Sequence, residues 1–474
     1  MRLLFWTISI LIFSVVLMSL VSCSDLLEVP NSKNLVRRTD AFSSDLSALS
    51  AVIGIYHDLS QNSYANGDYK SMVALCALSA DELDYIYNQP RDEDMADFDQ
   101  NNLKSGNLNI KSIWQSSYRN IYNCNSVIET LGESADITDA VRRQLSAEAL
   151  FIRAFNYFNL VNLFGEVPLV TAIAYEKNSY QQRRSVEDIY SSIVGDLKQA
   201  ESILSNNYIT GLNTPTNDRV RVNKMAVQAL LARVSLFLTE WETSEFYATS
   251  IIESGLYSLP LDPNLVFLSD SPETIWQLMP IGAEHTTMQA FYFIVVDPAY
   301  SYFSLERGLV DSFESNDLRR SNWIGEFSLG GDSSIYFPYK YKARDYTDPR
   351  TEYSVIFRLA EQYLIRAECR ARRGDLVGAV ADLDSVRNRA GVALISEKNP
   401  NATAEELLDY ILHERRLELF CEGGHRWLDL NRLDKLLPML GPTKPFITND
   451  DKLYPIPSSE FLLNPHLGLQ NPGY

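Results

Sequence analysis

The chain has 474 residues, 46% hydrophobic and 22% charged, which is enough apolar side chain for a large buried core and excludes disorder over most of its length. A formal net charge of −19 gives no basic face for a phosphate backbone, so no nucleic-acid partner is expected. Of the five cysteines, Cys76, Cys124, Cys369 and Cys421 stand far apart in apolar or helical segments without metal-ligand spacing. They read as buried free thiols, although an exported protein could pair them.

Residues 3–22 carry no charge, follow Arg2 and end at Cys23. Their length alone permits a membrane span. Leu20-Val21-Ser22-Cys23 resembles a bacterial lipobox, however, and Asp25 and Glu28 follow it instead of a basic stop-transfer cluster. The expectation is a signal peptide over 1–22, a lipid on Cys23 and a single domain over 23–474.

A first amphipathic helix is predicted over 40–60, with Phe42, Leu46, Leu49, Ile53 and Tyr56 on one face. An apolar run then leads into a polar, acidic loop. Within it Asp97-x-Asp99-x-Asn101 starts like a calcium loop, but Asn102 and Leu108 stand where Gly and Glu are needed, so a solvated acidic loop is expected. Helices resume over 113–132 and 141–165, stopped at Gly165. Another runs from Ser185, an N-cap with Asp188 three residues on, to Leu204.

Residues 223–255 and 358–391 each read as a helical hairpin. In the second, Ala360, Leu364, Ala367 and Ala371 form one face, Gly374 ends the helix in a left-handed cap, and Asp375 caps the next. Ala232, Ser244, Ala248 and Ile251 share the mutual spacing of Ala367, Ala379, Leu383 and Val386. That spacing resembles tetratricopeptide helix pairs, in which small residues mark the crossing of two helices. Neither hairpin can bury both its stripes alone, so other helices must stack on it.

Between 256 and 357 helical periodicity disappears, prolines cluster and apolar runs shorten, as in TIWQLM and FYFIVV. Tyr292, Tyr300, Tyr302, Trp323, Tyr336, Tyr339 and Tyr341 fall here, either lining a ligand surface or packing the loops onto the helices. From Thr403 a further helix, AEELLDYILHERRLELFCEGGHRWLDLNRL, mixes a Leu/Ile stripe with Glu414, Arg415, Arg416, Glu418, Glu422, Arg426, Asp429 and Arg432. These suit a structural ion network better than a reaction, and His413 and His425 read as packed. The tail over 435–474 is rich in proline and reads as laid over the surface. There is no G-x-S-x-G elbow, H-E-x-x-H, phosphate loop or dinucleotide fingerprint.

The lipobox, AEALFIRAFNYFNLVNLFGEVPLV, ESNDLRR, YKY, the hairpin from Arg358, ERRLELFCEGGHRWLDLNRL and the ending LYPIPSSEFLLNPHLGLQNPGY together resemble the SusD/RagB family over nearly the whole length. Asp384, where members often have Asn, and Cys421, at a usual apolar position, depart from the pattern. The resemblance implies a mainly α fold: a helical scaffold of tetratricopeptide-like pairs over about 40–255 and 358–434, with the irregular, short-strand insertion forming the ligand face. It further implies a surface-exposed outer-membrane lipoprotein of Bacteroidetes. Such a protein captures oligosaccharides, or in some members peptides, for a SusC-like TonB-dependent transporter, without enzyme activity or cofactor. A surface glycoside hydrolase and a purely structural lid of the transporter are the competing readings; a hydrolase would need two carboxylates facing each other across a cleft.

A census of tryptophans singles out Trp323. Trp6 leaves with the signal peptide, Trp114 and Trp241 lie in or between helices, Trp276 sits in a short strand and Trp427 adjoins the charged helix. Trp323 alone lies in polar, glycine-containing sequence, where an indole could stack on the C–H face of a sugar. It is the first candidate ligand contact, with Tyr302, Tyr85 and Tyr87 as secondary candidates; the competing role for Trp323 is to pin its loop.

Overall fold

The structure is a computed structural model that describes Trp6 and residues 41–61, 65–87, 92–211, 213–280, 287–345 and 349–474. The folded unit runs from Phe42 to Tyr474. Cys23 lies outside the described residues.

The scaffold is a row of antiparallel helices. In chain order its longer helices are α1 (Asp45–Gln61), α2 (Met72–Ser79), α3 (Glu93–Gln100), α4 (Leu108–Glu133), α5 (Asp139–Phe164), α6 (Val186–Ile203), α7 (Lys224–Phe237), α8 (Trp241–Ile252), α9 (Leu359–Arg373), α10 (Leu376–Ala390), α11 (Ala404–Leu419) and α12 (His425–Arg432). Each of α4 to α10 packs on the next, and α11 closes against α9 and α10. The two predicted hairpins, α7–α8 and α9–α10, are therefore neighbours in space although the insertion separates them in sequence. Their small positions meet where they cross: Ala232, Ala367 and Ala379 are buried, and Ser244 Oγ donates to Ala232 O at 2.7 Å.

Local chemistry sets the helix ends. Asp188 N–H donates to Ser185 Oγ at 3.1 Å, and Gly378 N–H to Asp375 Oδ1 at 2.9 Å. Gly374 takes φ 86° at the end of α9, a left-handed conformation in which glycine bears no Cβ penalty. On α1 the buried stripe is Ala48, Leu49, Val52, Ile55 and Leu59, while Leu46 and Ile53 face outward, correcting that part of the predicted face.

Among the described residues there are four two-stranded antiparallel ladders, of which β2–β3 lies within the scaffold region and the other three involve the insertion, and none closes into a barrel. The strands are β1 (Leu83–Tyr85), β2 (Val167–Pro168), β3 (Arg183–Arg184), β4 (Thr274–Leu278), β5 (Phe303–Leu305), β6 (Ile324–Gly330), β7 (Ser333–Pro338) and β8 (Ser354–Arg358). They pair as β1–β5, β2–β3, β4–β8 and β6–β7. The β4–β8 ladder ties the insertion to the scaffold, because Trp276 of β4 is met edge-on by Phe151 and Phe155 of α5 at 5.1 and 5.5 Å.

Three expectations are corrected here. The acidic stretch is helical: α3 spans Glu93–Gln100, Asp97 accepts from Lys104 Nζ at 2.7 Å and Asp99 pairs with Lys444 at 3.2 Å, so its carboxylates are occupied by lysines. FYFIVV begins inside a short helix, Met288–Phe293, capped by Thr287 Oγ1 on Ala290 N–H. The charged helix is broken in two at Phe420–Gly424, where Cys421, Gly423 and Gly424 all have positive φ. A Cβ on Gly424 would meet Cys76 Cβ at 3.0 Å, so glycine permits this close approach to α2. The four cysteines beyond Cys23 are free and buried, as expected.

Candidate functional site

The charged side chains at the C-terminal end of α11, Glu414, Arg415 and Glu418, point inward. Arg358 reaches Glu273 at 2.8 Å and also pairs with Glu418 and Glu422; Arg319 reaches Asp317, Glu414 and Glu418 at 2.8, 2.6 and 3.0 Å. Arg389 joins Glu273 and Glu418, and Lys340 joins Glu422. Burial raises the Glu418 carboxyl, but Arg389, Arg358 and Arg319 outweigh it and hold the group well below the usual carboxylate range. Several sequence motifs thus converge on one dry ion network that substrate cannot enter. Its acids are occupied by guanidinium groups, not opposed across a cleft.

Trp323 belongs to this interior. It is 0% exposed, its indole N–H donates to Pro263 O at 3.0 Å, Phe267 packs edge-on at 5.5 Å and Lys340 lies 4.9 Å from the ring. No face is open for a sugar, so the expectation of a stacking platform at Trp323 is corrected: it anchors the short helix Leu318–Trp323 that leads into the β6–β7 hairpin.

The other three candidates cluster. Tyr302 immediately precedes β5, and Ile86 N–H donates to its carbonyl at 2.8 Å, which extends the β1–β5 ladder and brings Tyr85 and Tyr87 alongside. Tyr85 and Tyr87 meet edge-on at 5.0 Å, but Tyr85 is only 5% exposed, with its hydroxyl accepting from Asp92 N–H. Tyr87 is 44% exposed, and its hydroxyl donates to Asp99 and accepts from Gln100.

Two further tyrosines complete the surface. Tyr69 lies 4.5 Å from Tyr302 and 4.8 Å from Tyr292, and Tyr292 lies 5.7 Å from Tyr302, ring centre to ring centre. All three are half-buried. They come from three segments held by separate devices. Gly67, at φ 77°, lets the turn before Tyr69 press on the Met288–Phe293 helix, where any Cβ would sit 2.0 Å from Gln289 Cγ. Phe293 packs on Phe303 at 5.3 Å and fixes that helix to β5. Asn66 holds the turn through Ser60 O and Asp68 N–H.

Burial pushes the Tyr292 hydroxyl up to about 12 and, with Tyr69, raises that of Tyr302, so both stay neutral at physiological pH. Lys70 extends over the Tyr69 ring at 5.1 Å and pairs with Asp92 at 3.4 Å. The result is an aromatic cluster, its ring planes inclined to one another by 35°, 41° and 76°, with neutral hydroxyls and a charge pair at its edge, suited to C–H stacking and hydrogen bonding. Tyr292 was visible in the sequence as one of many insertion aromatics. Tyr69 was missed; the Asn66-Gly67 turn dipeptide just before it is the available signal. Among the described residues no group of three or more His, Cys, Asp or Glu is placed to hold a metal ion.

Residues 48–236 match a family model described as starch-binding associating with outer membrane, and residues 315–474 match that of the SusD family. A SusD-like protein of Formosa agariphila is 24% identical, with 97% of each chain covered. Among solved structures, a SusD superfamily protein from Bacteroides vulgatus shares the fold with a TM-score of 0.77, 20% identity and coverage of 91% of this chain and 100% of its own. A laminarin binding SusD-like protein gives 0.76, 21%, 91% and 100%, and surface glycan-binding protein A from Bacteroides fluxus gives 0.73, 24%, 90% and 99%. Both ends of the helical scaffold and the tail are thus matched independently, and the chain belongs to the SusD/RagB family.

Proposed function

We propose that this protein is a non-catalytic, cell-surface binding protein that captures neutral oligosaccharides on the Tyr69–Tyr292–Tyr302 patch. It passes them to a SusC-like TonB-dependent transporter, held at the outer membrane by a lipid on Cys23. The observation that carries the ligand reading is the patch itself: three half-buried rings within 4.5–5.7 Å of one another, contributed by three chain segments and backed by a fixed ladder. The laminarin-binding and glycan-binding proteins that share the fold support the same ligand class. The confinement of Glu414, Glu418 and Glu422 to buried ion pairs favours binding over glycoside hydrolysis.

Calorimetric titration of the body lacking its lipid with maltohexaose, laminarihexaose, xylohexaose, mannohexaose and extended peptides of similar length tests this. Saturable heat with at least one saccharide, and unchanged saccharide after prolonged incubation, is expected. Binding of peptides alone, or release of shorter sugars, contradicts it.

A further inference from the structure

We infer a second saccharide site, outside the tyrosine patch, in the groove between the 206–219 loop and the turn that leads into β4. The groove has a volume of about 650 Å³, within the usual range for small-ligand sites, and is lined by Asn207, Asn217, Asp218, Arg219, Asp270 and Tyr353 among others.

Its walls are ordered by hydrogen bonds that do not involve the lining side chains. On one side Thr216 N–H donates to Tyr208 O at 3.0 Å and Thr210 N–H to Thr214 O at 2.7 Å; on the other Ser269 N–H donates to Thr351 O at 2.8 Å. The floor is fixed as well. Arg219 donates to Ser271 O at 2.9 Å and to Thr274 O at 2.5 Å, and its guanidinium lies 5.0 Å from the Tyr257 ring. Tyr208 donates to Ile275 O at 2.7 Å.

Against this, the side chains of Asn207, Asn217, Asp218 and Asp270 enter no hydrogen bond or ion pair among the described residues. Four amide and carboxylate groups, all exposed and bonded to no other side chain, therefore line one preformed concavity where a ligand can take the place of solvent on them.

Their chemistry selects the ligand class. An anion would meet two carboxylates, with the one lining cation already occupied by backbone carbonyls. An apolar ligand would bury the amides unpaired. No cluster of three metal ligands is present among the described residues. A neutral polyhydroxylated ligand satisfies all of them: carboxylates accept from hydroxyls, amides donate and accept, and the half-buried Tyr353 offers a ring for a C–H face. The inference takes its ligand class from the proposed function but not its location.

The test compares Tyr69→Ala/Tyr302→Ala protein with the same protein carrying Asp218→Ala, titrated with the four hexasaccharides above. The patch variant is expected to retain weak saturable binding of a hexasaccharide, and Asp218→Ala to weaken that residue of binding at least tenfold. Asp218 is exposed, so its loss leaves the fold intact; Tyr353→Ala repeats the test at the ring. Complete loss of binding in the patch variant, or residual binding indifferent to both groove substitutions, overturns the second site and leaves the patch standing. Wild-type protein that binds none of the four overturns the patch reading and the groove together.

Discussion

Glu82 sits at the root of β1, where its Oε2 accepts from Cys421 N–H at 3.1 Å and its Oε1 has no hydrogen-bond partner. Burial pushes the carboxyl up to about 8, and Asp81 adds to the rise, while the Cys421 N–H, Arg426 and Lys340 oppose it. The folded protein thus holds this proton more tightly than the unfolded chain, whose group titrates near 4.5. The proton's contribution favours the fold at low pH and is lost as pH rises from about 4.5 through about 8. Urea unfolding of wild type and Glu82→Gln at the two ends of that window should show wild type losing ground to the variant as pH rises. Parallel pH profiles for the two proteins would show that folding leaves the Glu82 carboxyl at its ordinary value. Glu82 was not legible from sequence as a perturbed group, because its burial comes from the Phe420–Gly424 break, far along the chain.

At the scale of elements, the hairpins were legible because their determinants are local. Apolar spacing, Gly374 and Asp375 lie within one stretch, and the shared register with α7–α8 follows from the same crossing geometry. What escaped depends on contacts distant in sequence. Cys421 keeps its left-handed backbone with Glu82 on its N–H and Gln289 on its carbonyl, and Gly424 abuts Cys76. A helical pattern read through that point carries no trace of either contact. The crossing itself is testable. Ala379 is fully buried against the α9 face, so Ala379→Leu should overpack the pair and cost about 1–3 kcal/mol. An unfolding midpoint equal to that of wild type would contradict close approach of the helices at this position.

Across the whole molecule, the proposed ligand surface draws on residues near 69, near 292 and near 302, and that assembly explains which parts of it are legible in the sequence. Aromatic density points to the insertion, and with it to Tyr292 and Tyr302. The same argument chose Trp323 because its flanks are polar, yet those flanks form a hairpin above a buried indole held by Pro263 O and Lys340. Tyr69 was hidden because its value lies in a turn pressed against another segment through Gly67. The proposed tether is tested separately: Cys23→Ala should release the protein from the membrane fraction or leave it unprocessed, and fatty-acid labelling of that variant would contradict lipidation at Cys23.

The central claim is that the three tyrosines grip the ligand. Each ring in such a patch contributes on the order of 1 kcal/mol, so Tyr69→Ala/Tyr302→Ala should weaken hexasaccharide binding roughly tenfold or more by calorimetry. The thermal midpoint should shift by only a few degrees, because both rings are half-exposed. The same affinity as wild type in a folded double variant would contradict the account.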